Sequence, residues 1–249
     1  MGAIYIIWLR NLKRFWRSKS RVIGSLGMPV FFLIILGFGL SSVLTIPGMG
    51  HDYMKFIIPG IIAMTVLFSS IFAGIQVIWD KQFGFLKEML VAPVSRISLM
   101  IGQTLGGATT SLIQGMLILI VGLFIAGFVS SILGFLIAIA FMVLIGISFT
   151  ALGIAFASKM KDMHGFQLIM NFFIFPVFGL SGALFPISNA PNVLKIIAYF
   201  DPLTYGVEGI RYGLLGVSQI NPWISFVILL GFSIAMILLG GFLFRKVKI

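Results

Sequence analysis

FIIPGIIAMTVLFSSIFAGIQVIW, residues 56–79, runs straight into DKQFGFLKEMLVAPVSR, residues 80–96. The first stretch has 24 residues and no charge. As a helix it is long enough to cross the roughly 30 Å hydrocarbon core of a bilayer. The second places Asp80, Lys81, Lys87, Glu88 and Arg96 within 17 residues. So abrupt a change marks a chain leaving lipid for water.

The same alternation recurs along the chain. Uncharged apolar stretches run from about Val22 to Ile46, Ile97 to Phe128, Ile132 to Ala157, Phe166 to Phe185 and Trp223 to Phe244. With 56–79 they make six predicted spans. Across 249 residues, 60% are hydrophobic and 9% charged, too few charges to cover a soluble surface. The expected class is all-α: a polytopic membrane protein forming one domain, 1–249, with no room for a separate catalytic unit.

Charge sets the orientation. Fourteen of the seventeen Lys and Arg residues fall on one side if there are six crossings: six before Val22, three in 80–96, two at Lys159 and Lys161, and three after Phe244. Lys55, Lys195 and Arg211 fall on the other. The positive-inside rule then puts both termini in the cytoplasm of a plasma membrane protein. Anionic headgroups account for the net charge of +11 better than nucleic acid does. Met1 to Leu9 does not resemble a cleaved signal peptide, because charge follows it rather than precedes it.

Residues 1–21 are predicted as a cytoplasmic interfacial helix. Ile4, Trp8, Leu12 and Phe15 share one face and Arg10, Arg14 and Arg17 another, with Trp8 and Trp16 suited to headgroup depth. In 80–96, Phe83, Leu86 and Leu90 share a face of a short helix that Pro93 ends. Such a helix is either a connector lying on the membrane or a knob that docks into a cytoplasmic partner through Lys87 and Glu88. Short outer connections are expected around His51, Asp52, Tyr53 and Lys55, and at Val129, Ser130 and Ser131.

Residues 186–222 hold two apolar pieces, Val193 to Phe200 and Leu203 to Val217, neither able to cross. They suit outer re-entrant helices. Gly182, Pro186 and Pro191 turn the chain, Asp201-Pro202 favours a helix start with Asp201 as cap, and Glu208 can pair with Arg211 three residues on. This segment reads either as a structural plug or as an outer gate formed by Pro186, Asp201, Pro202, Tyr205, Glu208 and Arg211. Gly102 with Gly106, and Gly209 with Gly213, are spaced for close helix contact.

Several chemistries lack their residues. There is no GxxxxGK[ST], HExxH or GxSxG pattern, and no cysteine. No catalytic, cofactor or metal site is expected. The spans carry no ionisable residue, which argues against proton coupling. Their polar groups are amides and hydroxyls, chiefly Gln76, Gln103, Gln114, Gln167 and Asn171. These either bond between helices or line a substrate path.

Taken in order, an amphipathic N-terminal helix, six spans, "GFLKEMLVAPVSR" after the second and "SGALFP" with "DPLTYGVEGIR" before the sixth resemble the membrane subunit of a type-2 ATP-binding-cassette (ABC) exporter. Its relatives include daunorubicin-resistance, nodulation-factor, O-antigen and teichoic-acid permeases. The resemblance covers essentially the whole chain. It implies a homodimer bound to two separate ATPase subunits, which would hold ATP and Mg. It implies a coupling helix at Phe83, Gly84, Phe85, Leu86, Lys87, Glu88, Met89 and Leu90, and an N-terminal interface helix carrying Trp8, Arg10, Arg14, Trp16 and Arg17. Cargo would be a hydrophobic or amphipathic drug or lipid, or alternatively a polysaccharide or lipid-linked glycan. A channel or secondary carrier working without ATP is the alternative from another class.

Overall fold

The computed structural model describes residues 2–41, 53–91, 94–127, 131–160 and 162–246. Among them every regular element is helical: α1 (Gly2–Arg17), α2 (Lys19–Ser41), α3 (Tyr53–Gln82), α4 (Phe85–Val91), α5 (Arg96–Ala126), α6 (Ile132–Lys159), α7 (Met163–Ile169), a π-helical turn (Met170–Ile174), α8 (Phe175–Leu180), a 3-10 turn (Ile187–Asn189), α9 (Asn192–Phe200), α10 (Pro202–Leu215) and α11 (Pro222–Arg245). Six stretches are long and apolar enough to cross a membrane: Val22–Leu40, α3, α5, α6, Met163–Leu180 and α11.

Local chemistry sets the helix ends. Ser95 Oγ accepts from Ser98 N at the start of α5, and Gly127, with φ +63°, closes it by donating to Leu123 O. Ser131 Oγ then accepts from Gly134 N to open α6. The turn expected at Val129 and Ser130 lies outside the described residues, as do His51 and Asp52. Tyr53 and Lys55, expected in that outer turn, belong instead to the first turn of α3, where the buried Tyr53 donates its hydroxyl to Leu184 O at 2.8 Å.

The fifth span is shorter and less regular than its hydropathy implies. It ends at Leu180 rather than Phe185, and Gly182, at φ +71°, turns the chain. The backbone widens to a π turn just ahead of Pro176, whose ring would crowd the carbonyl four residues back.

The core surrounds α3, which α2, α5, α6 and α10 cover on several sides. Small residues set the spacing. A Cβ on Gly74 would lie 2.4 Å from the Gly153 carbonyl carbon, so the α3 and α6 backbones touch. Both glycine pairs noted in the sequence work in the same way. Gly102 and Gly106 seat α1 on α5 against Ile7 and Asn11, while Gly209 and Gly213 seat α10 on α6 against Phe141 and the Gly134 carbonyl. The face of α1 carrying Ile7, Trp8 and Phe15 is thereby turned towards protein, and Tyr5, Ile6 and Trp16 are exposed.

Gly213→Val tests the α10–α6 contact. Its Cβ would meet Gly134 O at 2.6 Å and Ala138 N at 2.7 Å, backbone atoms that cannot swing aside. Overpacking of this kind costs about 1–3 kcal/mol. The melting temperature in detergent should fall, whereas Gly231→Ala, inside α11 with nothing within 4 Å, should hold or slightly raise it.

Candidate functional site

Two polar clusters lie at opposite ends of α3, with a cavity between them. At the α4 end the centre is Asp80, which is only 2% exposed. Sequence reasoning placed it in a polar loop; α3 continues through Gln82 and carries it into the bundle instead. Asp80 accepts from Arg10 Nη2 at 2.8 Å, Gln76 Nε2 at 2.8 Å and Gln103 Nε2 at 3.4 Å, and Arg14 stands 3.9 Å away. Asn11 donates to Gln103 at 2.8 Å. Arg10 also reaches Met89 Sδ at 3.6 Å, so one guanidinium touches both α3 and α4. A buried carboxylate is tolerated only when charge and hydrogen bonds compensate it, and here they do.

The predicted coupling residues split by environment. Gly84, at φ +81°, is a joint between α3 and α4 that favours glycine. Phe83 and Gly84 therefore precede the short helix rather than share a face of it. Phe83 and Phe85 are 74% and 54% exposed, Glu88 is exposed, and Met89 is half-buried. The side chains of Leu86, Lys87 and Leu90, and Pro93, lie outside the described residues. Of the interfacial residues, Trp8 bonds Thr109 Oγ1 on α5 through its indole N–H at 3.0 Å. Trp16 and Arg17 remain exposed.

A cavity of about 670 Å³ opens between α2, α3, α5 and the fifth span. Phe68, Phe72, Trp79, Phe175 and several methionines form its apolar wall. Gln114, Gln167 and Asn171 face it as well, and their amides make no hydrogen bond among the described residues. The π turn contributes Asn171 and Met170 to the lining. All five amides found in the sequence line the cavity and differ in their bonding: Gln103 bonds across helices to Asn11 and Asp80, Gln76 bonds Asp80 within α3, and the other three make no hydrogen bond among the described residues.

At the far end of α3, α10 carries an ion pair between Glu208 and Arg211, both almost fully buried. Arg211 also donates to Gly182 O at 2.9 Å and lies 4.0 Å over the Phe56 ring. Glu208 accepts from Gln219 N at 2.5 Å. One pair therefore joins the turn after α8, the start of α3, and the loop into α11. Burial pulls the Arg211 guanidinium below its ordinary pKa, and the neighbouring Glu208 opposes that. Asp201 caps α10 by accepting from Leu203 N at 2.9 Å. Its second oxygen is buried with no partner among the described residues, and burial raises its carboxyl pKa to about 7 against the lowering effect of the Leu203 N–H. Tyr205 donates to Tyr199 O at 2.7 Å, and Pro186 is buried nearby in sequence.

Sequence reasoning missed Asp80 and Asn11. The signal was present: helical spacing continues past Trp79 and sets Gln76 and Asp80 four apart on one face.

Arg211→Met leaves Glu208 charged and buried. Breaking a buried pair from one side costs about 3–5 kcal/mol, so the variant should express poorly or melt far below the parent. Asp201 gives a pH test. Its folded pKa lies above the unfolded value of 3.8, so its contribution to stability is greatest at low pH, declines as pH rises from about 4 to about 7, and then levels off. Asp201→Asn keeps a capping oxygen and removes the titration. The variant's melting temperature relative to the parent should rise between pH 5 and pH 8.

Comparison with known proteins agrees with this architecture. The profile of the ABC-2 type transporter family matches residues 2–215. The inner membrane transport permease YadH of Escherichia coli is 27% identical over 98% of this chain and 95% of its own length. The putative transport permease ycf38 of Cyanophora paradoxa is 28% identical over 98% of this chain and 88% of its own. Nodulation protein J of Rhizobium leguminosarum is 26% identical over 96% and 93%. With six apolar helices and a profile match through most of its length, the chain belongs to the ABC-2 type transporter family, as a multi-pass membrane permease.

Proposed function

We propose that this chain is the membrane subunit of an ATP-driven exporter. Two copies pair with each other and with two copies of a separate ATPase that binds ATP and Mg. Both termini and α4 lie in the cytoplasm; α1 rides at the membrane interface, and α9 and α10 re-enter from outside. At about 1.5 Å per residue α9 and α10 reach roughly 14 Å and 21 Å, short of a full crossing.

The observation that carries this reading is α4 itself. It is a short helix on a glycine joint, Phe85 at its start and Phe83 just before it are exposed, and it is tied through Arg10 to a buried carboxylate on the central span. Exposed aromatic side chains beside a basic rim suit a protein partner. The sequence also has no phosphate loop, so work must come from outside the chain. Closure of the ATPase pair would displace α4 and tilt α3 and α5, changing the width of the cavity between them and the fifth span.

The cavity suits an amphipathic cargo. Aromatic and methionine walls take an apolar body, and the three amides without a hydrogen bond among the described residues take its polar part. Amides beside Phe and Trp rings would equally hold a sugar, which keeps the lipid-linked glycan reading as the second choice.

The test is reconstitution with the ATPase whose gene lies nearest. Inside-out vesicles should accumulate an amphipathic dye only with ATP. Phe85→Asp should lower cargo-stimulated hydrolysis about tenfold or more, as expected for losing an aromatic anchor worth about 2 kcal/mol. Uphill transport by the chain without any ATPase would overturn the reading.

A further inference from the structure

Asp80 and Lys81 are adjacent at the last turn of α3, directly before the Gly84 joint, and they face different helices. Asp80 is bonded to Arg10 on α1. Lys81 reaches the other way. Its ammonium donates to Ala157 O at 2.9 Å, Ser158 O at 2.8 Å and Met160 O at 3.3 Å. These carbonyls end α6, where the last turn lacks helical partners and carries the negative end of the helix dipole. A lysine with three carbonyl acceptors is a charged cap supplied by another helix. Across the bundle, Arg96 at the start of α5 donates to Arg245 O at the end of α11, at 2.5 Å.

We propose that Asp80 and Lys81 are positioning residues that form a branch point, dividing any displacement of α4 between two helices. Asp80 passes it to α1 through Arg10, and Lys81 passes it to α6 through that helix's terminal carbonyls. The consequence is that α1, α3 and α6 move as one body, and the cavity wall formed by α2 and the fifth span moves against it. Opposite charges on adjacent residues make the division possible: a carboxylate takes a guanidinium on one side, and an ammonium takes carbonyls on the other. The inference rests on α4 being the element the ATPase moves; the two tethers themselves are the hydrogen bonds of Asp80 and Lys81.

The chain has no cysteine, so paired labels can be placed cleanly. Glu88, Lys13 and Lys159 are exposed and sit on α4, α1 and α6. Nitroxide pairs at Glu88→Cys with Lys13→Cys, and at Glu88→Cys with Lys159→Cys, report the two branches in nanodiscs. In the nucleotide-free chain, Asp80→Asn should broaden the α4–α1 distances and leave α4–α6 narrow. Lys81→Met, which keeps the aliphatic stem, should do the reverse. Arg10→Gln cuts the first branch from a half-exposed site should Asp80→Asn not fold. Asp80→Glu and Lys81→Arg should restore the parent distributions.

In the full complex, cargo moved per ATP hydrolysed should fall at least about fivefold in either broken variant, the low end of ordinary coupling energies. Distances unchanged in both variants, or broadened alike by each, would overturn the branch point. An α4 that stays still when ATP binds to the parent complex, with the branch-specific broadening intact, would instead overturn the reading of α4 as the driven element.

Discussion

Hydrocarbon offers no hydrogen bonds, and that constraint governs this molecule. Each unsatisfied backbone N–H or C=O inside a bilayer costs several kcal/mol, so a single chain of this composition folds as helices or fails. The ends of helices are then the vulnerable places, because four donors and four acceptors remain open at each. Serines 95 and 131 and Asp201 close three helix starts, and the Lys81 ammonium closes the end of α6.

The same solvent acts on side chains. Most of the charge drawn into the bundle is gathered into two ion-paired clusters, one around Asp80 and one around Glu208 and Arg211, with Asp201 buried apart as the cap of α10. Each joins elements far apart in sequence: Arg10 to Asp80 at one end of α3, and Arg211 to Gly182 and Phe56 at the other. Charge in a low dielectric is costly when unpaired, so these contacts define geometry more firmly than apolar packing does. Between them lies the cavity, with three amides that make no hydrogen bond among the described residues. The ion pairs at both ends act as anchors, and the section between them is the more sparsely bonded.

Much of this was legible from one dimension because lipid imposes a coarse rule. Runs of about 20 apolar residues and the placement of Lys and Arg give six spans, periodicity gives α1, and two short apolar pieces set off by proline turns give α9 and α10. Asp201 was recognisable as a cap from its place before Pro202, and Glu208 with Arg211 from their spacing, because both are local interactions. Non-local chemistry was not legible. Asp80 looked like a solvated loop residue, since the groups that compensate it, Arg10 and Gln103, lie 70 and 23 positions away. Nor does the helical spacing of α1 point to Thr109, 101 positions on, as the partner of the Trp8 indole.

Composition, hydrophobic run length and charge asymmetry therefore determined on their own that this is a six-span helical membrane protein with no nucleotide motif, because those properties depend only on how each segment partitions between water and lipid. Which of the cavity's amides bond, which glycines bring backbones into contact, and where Asp80 and Lys81 send their charges were decided only by tertiary packing. The physical reason is that hydrogen bonds and ion pairs act over about 3–4 Å, and no pattern along the chain states which distant residue will arrive within that distance.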